Sequence, residues 1–503
     1  MPASPHDYAI TTLARSWDAA WQIGPVLLRI AISLAIILLD PFGLGSNTAQ
    51  YTQKVVTAVT APFYPSTGQT RITAVIIDDD TAERLDEGYP IALATHALIL
   101  RRVLCANPAA VFIDIAFRTP RGGLDGVEAL VDALRWRVGP DGMCRPHAPA
   151  EMERPGVTKV FLAIQRSPTA ACRSLLDIAQ GNPACDRMRP LDRLLEVAIP
   201  VDITDLLEGD RYALATRSPT PGPSPALLLV DALCQRSPDV GAICGGQAKA
   251  EQPSELLLRW GLYPPQSAEA AILANQSQAG EQAITCPLAS QATGWTGRLH
   301  DAVATVRDLS VQGFDNQGRP ARRTPCPYHF YATGEAIVRE DPARSTRLRA
   351  ELENRAVIYG AAITGIADEI NSPVHGLLPG LFAHAMATDN LLTMGVSHWR
   401  PPPDVSVPGL GAIEATAILE AMLSVFFVLA TVALNQAFGR LSLIGTALTV
   451  TFYSAVGIAV AAILVLGLHW APSNAVLLMA LAATAALPET KPVLWRGHSA
   501  DGL

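Results

Sequence analysis

The 503-residue chain has a formal net charge of -8, and charged residues make up 17% of it against 49% hydrophobic residues. This acidic balance, without a run of basic residues, argues against a nucleic-acid partner, because binding phosphates requires a basic surface. The mean hydropathy of +0.24 is high for a soluble enzyme. The sequence from Gly409 onward is almost free of charge, which indicates a membrane protein.

Residues 1–22 are predicted to form a cytoplasmic amphipathic arm. Its apolar residues recur at helical spacing and are Ile10, Leu13, Ala14, Trp17 and Trp21. Such a helix lies on the inner membrane surface or docks a partner, and tryptophan favours the interfacial depth.

Residues 23–42 are the first predicted transmembrane helix, an apolar segment interrupted by Arg29. About 20 such residues cross the ~30 Å hydrocarbon core. A cleaved signal peptide is the alternative. However, the segment lacks a basic n-region, and Asp40-Pro41-Phe42 stands where a small-x-small cleavage site would be. We therefore expect an uncleaved anchor.

Residues 43–405 are predicted to form one α/β domain with a mostly parallel sheet. Residues 72–78 and 109–117 are apolar, β-branched runs typical of buried strands, and residues 94–104 between them have helical spacing. A strand, helix and strand of this length form a crossover unit, which produces parallel pairing. Further strands are predicted at 160–164, 256–258 and 356–360, and a further helix at 382–392.

All eight cysteines lie in the 43–405 domain: Cys105, Cys144, Cys172, Cys185, Cys234, Cys244, Cys286 and Cys326. An even set confined to one region is typical of disulfides in an oxidising compartment. The spacings contain no zinc motif. Long Pro/Gly/Ser-rich insertions lie at 139–155, 218–225 and 264–296, and they hold two of these cysteines, Cys144 and Cys286. We expect local bridges, foremost Cys172–Cys185 and Cys234–Cys244, each stabilising by roughly 3 kcal/mol.

Three apolar segments near the C-terminus are predicted transmembrane helices, at residues 409–434, 441–468 and 471–488, followed by a tail at 489–503. Arg440, Lys491 and Arg496 mark loops on one side, whereas residues 469–472 contain no Lys or Arg. Positive charge stays in the cytoplasm, so both termini are expected inside. The predicted location is the bacterial inner membrane, with the lipid bilayer as partner and the large domain in the periplasm.

Two ionisable residues, Arg29 and Glu420, lie within the predicted spans. Such residues are costly in hydrocarbon and require a partner or a function. Counted along their helices, both lie at a similar depth, so we hypothesise that they form an intramembrane pair. The alternative is that Arg29 reaches the inner headgroups instead.

The clearest candidate ligand residues are Asp78, Asp79 and Asp80. Acids at the carboxyl end of a parallel strand stand where α/β sheets bind ligands, and three carboxylates suit a hard cation. The alternative is helix capping. Asp114, at the end of the neighbouring predicted strand, is expected close to Asp78. Two histidines could line the same crevice or be ordinary structural residues; they are His96 and His384.

Several segments together resemble the CHASE2 extracytoplasmic sensor family. Residues 75–79, 96–97 and 108–114 are similar to its opening, residues 209–212 to its central turn, and residues 354–361, 366–368, 379–385 and 389–392 to its closing strand, final loop and helix. The resemblance includes the layout of an anchor, the domain and three spans, and it adds Asp368 to the candidate ligand residues. Family members usually continue into a cytoplasmic kinase or cyclase, whereas here only a short tail follows, so the output is expected to belong to another chain.

No Walker loop, GxGxxG, HExxH or GxSxG motif occurs, so we expect no enzyme, no cofactor and no metal. The favoured hypothesis is a sensory or scaffolding subunit that relays a periplasmic signal to a separate membrane, periplasmic or cytosolic protein. A structural or docking component of an envelope complex is the alternative, and a periplasmic enzyme using Asp78 and Asp114 is a third. Small faces such as Gly457 and Ala461 suit either packing within the chain or a homo-oligomer.

Overall fold

The fold is described from a computed structural model of the chain. It describes residues 30–31, 44–165, 183–215, 222–237, 244, 254–268, 288–289, 294–312, 326–363, 368–407, 411–438, 451–452, 456, 460, 463 and 467–470. The chain divides into two compact units. One is Thr57–Pro401, and the other is formed by the flanking segments, Met1–Val56 and Pro402–Leu503.

The α-helices of the described residues are α1 (Leu44–Thr60), α2 (Asp79–Arg84), α3 (Leu93–Cys105), α4 (Gly123–Ala133), α5 (Pro149–Met152), α6 (Pro225–Arg236), α7 (Gly294–Gln312), α8 (Gly334–Arg339), α9 (Thr346–Leu352), α10 (Leu381–Met394) and α11 (Ala415–Phe438). Short 3-10 helices occur at Ala61–Phe63, Gln69–Arg71, Pro183–Glu196 and Gly395–Ser397.

The strands are β1 (Ile72–Asp78), β2 (Ala110–Asp114), β3 (Trp136–Val138), β4 (Cys144–Pro146), β5 (Lys159–Ile164), β6 (Ile199–Asp202), β7 (Leu207–Glu208), β8 (Arg211–Ala213), β9 (Glu255–Leu257), β10 (Phe330–Thr333), β11 (Ala356–Ala362), β12 (Glu369–Ser372), β13 (Gly376–Pro379), β14 (Asp404–Val407) and β15 (Gly411–Glu414).

The Thr57–Pro401 unit is built on a six-stranded sheet in the order β10-β1-β11-β2-β5-β6, and every pairing in it is parallel. This confirms the predicted α/β class and the parallel sheet. In the centre, Gly360 of β11 pairs with Ile76 of β1 on one side and Asp114 of β2 on the other. Because the strands are parallel, their carboxyl ends meet at one edge of the sheet.

Side chains of the central strands alternate between two buried faces, as the strand period of two requires. Ile76 and Phe112 belong to the core that contains α6 and α10. Ile77 and Tyr359 belong to the opposite core, which contains α3, α4, α8 and α9. Both faces are therefore covered, which explains the near-continuous apolar runs of the central strands.

The expected adjacency of the first two strands is wrong. β11 comes late in the chain but inserts between β1 and β2, so Asp78 and Asp114 belong to strands two positions apart. The predicted strand at 256–258 forms as β9, but it joins β7 and β8 in a small antiparallel sheet instead of the main one. The edge strands β10 and β6 were not predicted, because they are only four residues long and expose Tyr331 and Ile199.

Disulfides stabilise the domain, as expected. The predicted Cys234–Cys244 bridge is confirmed. Cys105 at the end of α3 is bonded to Cys144 on β4, a span of 39 residues, so bridging is not confined to short loops. Cys185 and Cys326 are also disulfide-bonded, whereas Cys172 and Cys286 lie outside the described residues.

In the other unit, the β14–β15 hairpin leads into α11, which overlaps the predicted span at 409–434. α11 buries Glu420 and Phe427 and exposes Met422, Phe426 and Leu429. Within the part of the chain that the structure describes, no helix combines the length and the apolar character needed to span a bilayer. The arm at 1–22, Arg29 and the segment 471–488 lie outside the described residues, and so do most of 23–42 and 441–468. The Arg29–Glu420 pair stays a prediction.

Candidate ligand site at the carboxyl edge of the sheet

Two glycines allow α10 to approach the carboxyl edge of the sheet closely. A Cβ atom on Gly360 would lie 2.9 Å from Cδ2 of Leu381, the first residue of α10. A Cβ atom on Gly380, the N-cap of this helix, would lie 2.1 Å from Oδ1 of Asp368. The absence of both side chains therefore places the start of α10, with His384 in its first turns, directly over Asp114 and beside Asp368.

Asp114 ends β2 on the α10 face of the sheet. Its side chain is only 6% exposed, and its Oδ2 lies 3.6 Å from Nε2 of His384, which is too long for a hydrogen bond. The described structure gives this carboxyl group no other polar contact. Burial raises its pKa to about 7, because removal from water disfavours the charged form.

His384 is held in a fixed orientation by an aromatic pocket. Its Nδ1 lies 2.7 Å from the hydroxyl of Tyr212, and its ring packs edge-on against Phe112 at 5.1 Å. Burial lowers the histidine pKa to about 4, so the ring is neutral at pH 7.

Asp368 completes the group. The residue as a whole is exposed, but its carboxylate is pressed against the backbone at Gly380. Burial, reinforced by the charge of Asp114, raises its pKa to about 6. It lines a cleft of about 130 Å³ together with Ala361, Ala362, Ile363, Glu369, Leu377, Leu378 and Pro379. Asp114, Asp368, His384 and this cleft are called the carboxyl-edge site below.

A tyrosine also belongs to this edge. Burial and the nearby charge of Asp368 raise the pKa of Tyr89, whose side chain is 37% exposed. Tyr89 lies in the loop between α2 and α3, which follows β1 at the same edge of the sheet. An aromatic ring therefore stands within electrostatic range of the acidic pair. Tyr89 was not among the candidates from the sequence, and Tyr212 was included only as part of the 209–212 turn.

The Asp78–Asp80 cluster is a helix cap. Asp78 is the N-cap of α2, and its Oδ1 accepts hydrogen bonds from the backbone N–H of Thr81 at 2.8 Å and from the Thr81 hydroxyl. Asp79 and Asp80 are exposed in the first helical turn, where negative charge complements the helix dipole. Among the described residues, no group of three or more metal-binding side chains forms, here or elsewhere. The expectation that Asp78 would lie close to Asp114 is wrong, because β11 separates their strands.

His96 does not share a crevice with His384. It lies on α3, on the opposite face of the sheet, where its Nδ1 is 2.6 Å from the hydroxyl of Tyr359 and its ring packs edge-on against Phe117. Burial lowers its pKa to about 3. His96 is therefore a satisfied structural histidine, the simpler of the two interpretations.

A second buried polar group lies further along α10. Asp389 is fully buried, and its carboxylate contacts the hydroxyls of Tyr64 at 2.8 Å and Thr393 at 2.9 Å and Nε2 of His329 at 3.0 Å. Asn390, also buried, donates to Tyr64 and to the carbonyl of Arg259. The Asp389-Asn390 pair within an apolar helix was the sequence signal for this network, since buried polar residues require partners.

Comparison with known families identifies the domain. The CHASE2 domain model matches residues 31–427, which is well over half of the chain and includes every residue of the carboxyl-edge site. A search of the curated proteins finds no match, and no solved structure matches either. CHASE2 domains are extracytoplasmic sensor domains, and disulfides fit the oxidising compartment that this implies. The chain belongs to the CHASE2 family of extracytoplasmic sensors.

Proposed function

We propose that this protein is a membrane-anchored sensory subunit whose CHASE2 domain binds a small ligand at the carboxyl-edge site and relays its occupancy to a separate partner protein. The observation that carries the proposal is Asp114. Its carboxyl group is buried and has no hydrogen-bond partner among the described residues. It lies at the edge where α/β sheets bind ligands, and Asp368 at the same edge lines a cleft.

A buried carboxylate without hydrogen bonds opposes folding, because its lost hydration is not replaced. Side chains of this kind, with a pKa shifted by burial and a cleft beside them, concentrate at functional sites. Asp368 adds a second carboxyl group whose pKa is raised for the same reason. A ligand that supplied the missing polar contacts would remove part of this cost and so favour one state of the site.

α10 offers a physical route for the relay. Its first turns carry His384 and its last turns carry Asp389 and Asn390, and residues 381–392 are all buried. Asp389 and Asn390 are hydrogen-bonded to the hydroxyl of Tyr64, near the N-terminal boundary of the domain. Asn390 also holds the backbone of Arg259, whose guanidinium lies 4.4 Å from the ring centroid of Trp399, near the C-terminal boundary. A displacement of α10 at the ligand site would reach both chain ends of the domain, because a packed helix moves as a unit.

Membrane anchoring and the separate partner rest on the sequence. The four apolar segments at 23–42, 409–434, 441–468 and 471–488 flank the domain, which places its two boundaries where a relay must act. We propose a non-catalytic role, because the sequence contains none of the common enzyme motifs.

A docking component of an envelope complex is the second candidate, and one surface favours it. α7 exposes a stripe of large apolar side chains at helical spacing, namely Trp295, Leu299, Val303 and Val306. Exposed apolar patches of this kind mark interaction sites. In that function α7 would bind a partner and the carboxyl-edge site would bind nothing.

The test uses the full chain in its membrane. The partner is first identified by affinity purification in mild detergent, and its cross-linking yield is then followed while a small-molecule extract of the growth medium is added outside the cells. We expect Asp114→Asn and Asp368→Asn to retain the complex but lose the change in yield, whereas Asp80→Asn behaves as the wild type. A docking component would instead lose the complex itself in a Trp295→Ser/Val303→Ser variant, and its cross-linking yield would not change with the extract in the wild type or in the aspartate variants.

A further inference from the structure

We infer that the carboxyl-edge site takes a small organic cation, whose ammonium group binds between Asp114 and Asp368 and whose apolar part fills the adjacent cleft. The inference rests on the proposed function and names its ligand class.

The charge of the site carries the first step. Asp368 and Glu369 both line the cleft, and none of the cleft residues is basic. His384 lies 3.6 Å from Asp114, and burial keeps that histidine neutral near pH 7. The charge of Asp114 raises the pKa of Asp368, so the two carboxyl groups lie within electrostatic range of each other, and the described structure pairs neither of them with a Lys or Arg side chain. A positively charged ligand would compensate both of them, whereas an anion would be repelled.

The state of Asp114 supplies the second step. Its side chain is more than nine-tenths buried, and among the described residues it has no hydrogen-bond partner, since Nε2 of His384 is 3.6 Å away. An acidic pair serving only the fold would have hydrogen-bond donors arranged around it, as Asp389 has in Tyr64, Thr393 and His329. The contrast with Asp389 indicates that Asp114 is prepared for a donor that arrives from outside.

The shape and lining of the cleft favour an organic cation over a metal ion. Ala361, Ile363, Leu377, Leu378 and Pro379 make most of its wall apolar, whereas a metal ion requires oxygen or nitrogen ligands around it. At about 130 Å³, the cleft approaches the roughly 150 Å³ of a cavity that holds one benzene molecule. An ammonium group on a chain of a few carbon atoms fits that volume.

Tyr89 adds an aromatic face. It lies close enough to Asp368 for the carboxylate to raise its pKa, and it is partly exposed at this edge. An aromatic ring beside carboxylates attracts ammonium groups through its electron-rich face, and the attraction strengthens when water is excluded.

Protons compete with such a ligand. The groups that face Asp114 and Asp368 are His384 from α10, Tyr212 from β8, Tyr89 from the α2–α3 loop and Glu369 in the cleft wall. None of them is cationic at neutral pH. The pKa of Asp114 lies at about 7 and that of Asp368 at about 6, so acidification below pH 7 protonates the site and weakens cation binding, by up to about tenfold per pH unit for each proton displaced.

The experiment measures ligand-induced stabilisation and calorimetric binding with the full chain in detergent. The probes are n-butylammonium chloride, tetramethylammonium chloride, sodium butyrate and potassium chloride at equal ionic strength. We expect butylammonium to raise the unfolding midpoint and to bind more tightly at pH 8 than at pH 5.5. Asp114→Asn and Asp368→Asn should weaken binding roughly 10- to 100-fold, while Asp80→Asn, on the same edge of the sheet, leaves it unchanged.

Equal effects of butylammonium and potassium chloride, binding of butyrate instead, or full binding to Asp114→Asn would each overturn the inference. The proposed function fails differently. If the aspartate variants keep the cellular response while butylammonium binds the wild type, the ligand class stands and the sensory role of the site does not. If they lose the response but no ammonium compound binds, the ligand class is wrong and the sensory role stands.

Discussion

The hydroxyl of Tyr64 donates a 2.8 Å hydrogen bond to Oδ1 of Asp389, a residue 325 positions further along the chain. Asn390 in turn donates to the same tyrosine oxygen at 2.8 Å, and both α10 residues are fully buried. These hydrogen bonds join the N-terminal part of the domain, around Tyr64, to α10, the helix that carries His384. Three predictions test this arrangement and the carboxyl-edge site at the other end of the helix, and two more concern the disulfides and the location of the domain.

Tyr64→Phe should lower the free energy of unfolding by about 1–3 kcal/mol, because it removes one donor from a buried carboxylate and one acceptor from a buried amide. Chemical denaturation of the full chain in detergent measures the change. Tyr331→Phe is the matched control. This tyrosine is exposed at the edge of the sheet, so its replacement should leave the free energy of unfolding unchanged. Equal stability of Tyr64→Phe and the wild type would show that the network does not hold the domain entry.

The central strands and helices of this domain could be predicted from the sequence because each has a clear local pattern of apolar residues. The apolar runs of β1, β2, β5 and β11 and the helical spacing of α3 and α10 have no competing interpretation, and each formed. Their order in the sheet is a different matter. β11 lies between β1 and β2 and forms hydrogen bonds with both strands. The residues around β1 and β2 carry no pattern from which the insertion of this later strand could be predicted.

The site was predicted in part for the same reason. Asp114, Asp368 and His384 were candidates, but they come together only because α10 crosses the sheet over Gly360. Asp78 and His96 were equally plausible from sequence, and the fold gives them capping and packing roles instead. The tertiary neighbours separate the two groups. They depend on which strands adjoin in the sheet and on which helix covers each residue, and these are not encoded near the residue itself.

Asp114→Asn should stabilise the protein, and the gain should depend on pH. The carboxyl pKa rises from 3.8 in the unfolded chain to about 7 in the fold. Below pH 3.8 the carboxyl group is protonated in both the folded and the unfolded chain, so it does not reduce the free energy of unfolding. As the pH rises to 7 and above, ionisation of the buried carboxyl group destabilises the folded chain relative to the unfolded one. The amide never ionises, so its advantage should be near zero at pH 4 and on the order of 2 kcal/mol at pH 8.

Thermal unfolding of the two proteins across this pH range measures the difference. Asp80→Asn serves as the control, because Asp80 is exposed and its replacement should give a small change that is constant above pH 5. A stability difference for Asp114→Asn that grows towards acidic pH has the wrong sign and would refute the buried, unpaired state of this carboxyl group.

Gly380→Ala should impair the site without unfolding the domain. The backbone at Gly380 has φ -56° and ψ -32°, which alanine adopts freely, but the added methyl group would lie 2.1 Å from Oδ1 of Asp368. The carboxylate must move away, so we expect the response to n-butylammonium to fall by about tenfold while the unfolding midpoint changes little. Gly88→Ala, where nothing lies within 4 Å of the new methyl group, is the control. An unchanged response in Gly380→Ala would show that the position of Asp368 does not matter.

Removing the Cys105–Cys144 bridge should cost more stability than removing Cys234–Cys244. The bridges close segments with separations of 39 and 10 residues, and the chain-entropy model assigns them about 4 and about 3 kcal/mol. Cys-to-Ser double variants, compared by denaturation under non-reducing conditions, measure the difference. The opposite order would mean that native contacts of the β3–β4 hairpin, and not restriction of the unfolded chain, determine the effect of the bridge.

The location of the domain is tested most directly by labelling with a membrane-impermeant maleimide in intact cells. The six described cysteines are all bonded, so a new thiol at an exposed site reports location; Leu124, which is 64% exposed, is suitable. We predict that Leu124→Cys is labelled before lysis, whereas Ser499→Cys in the predicted cytoplasmic tail is labelled only after it. Labelling of Leu124→Cys only after lysis would place the CHASE2 domain inside the cell and contradict its role as a sensor of the exterior.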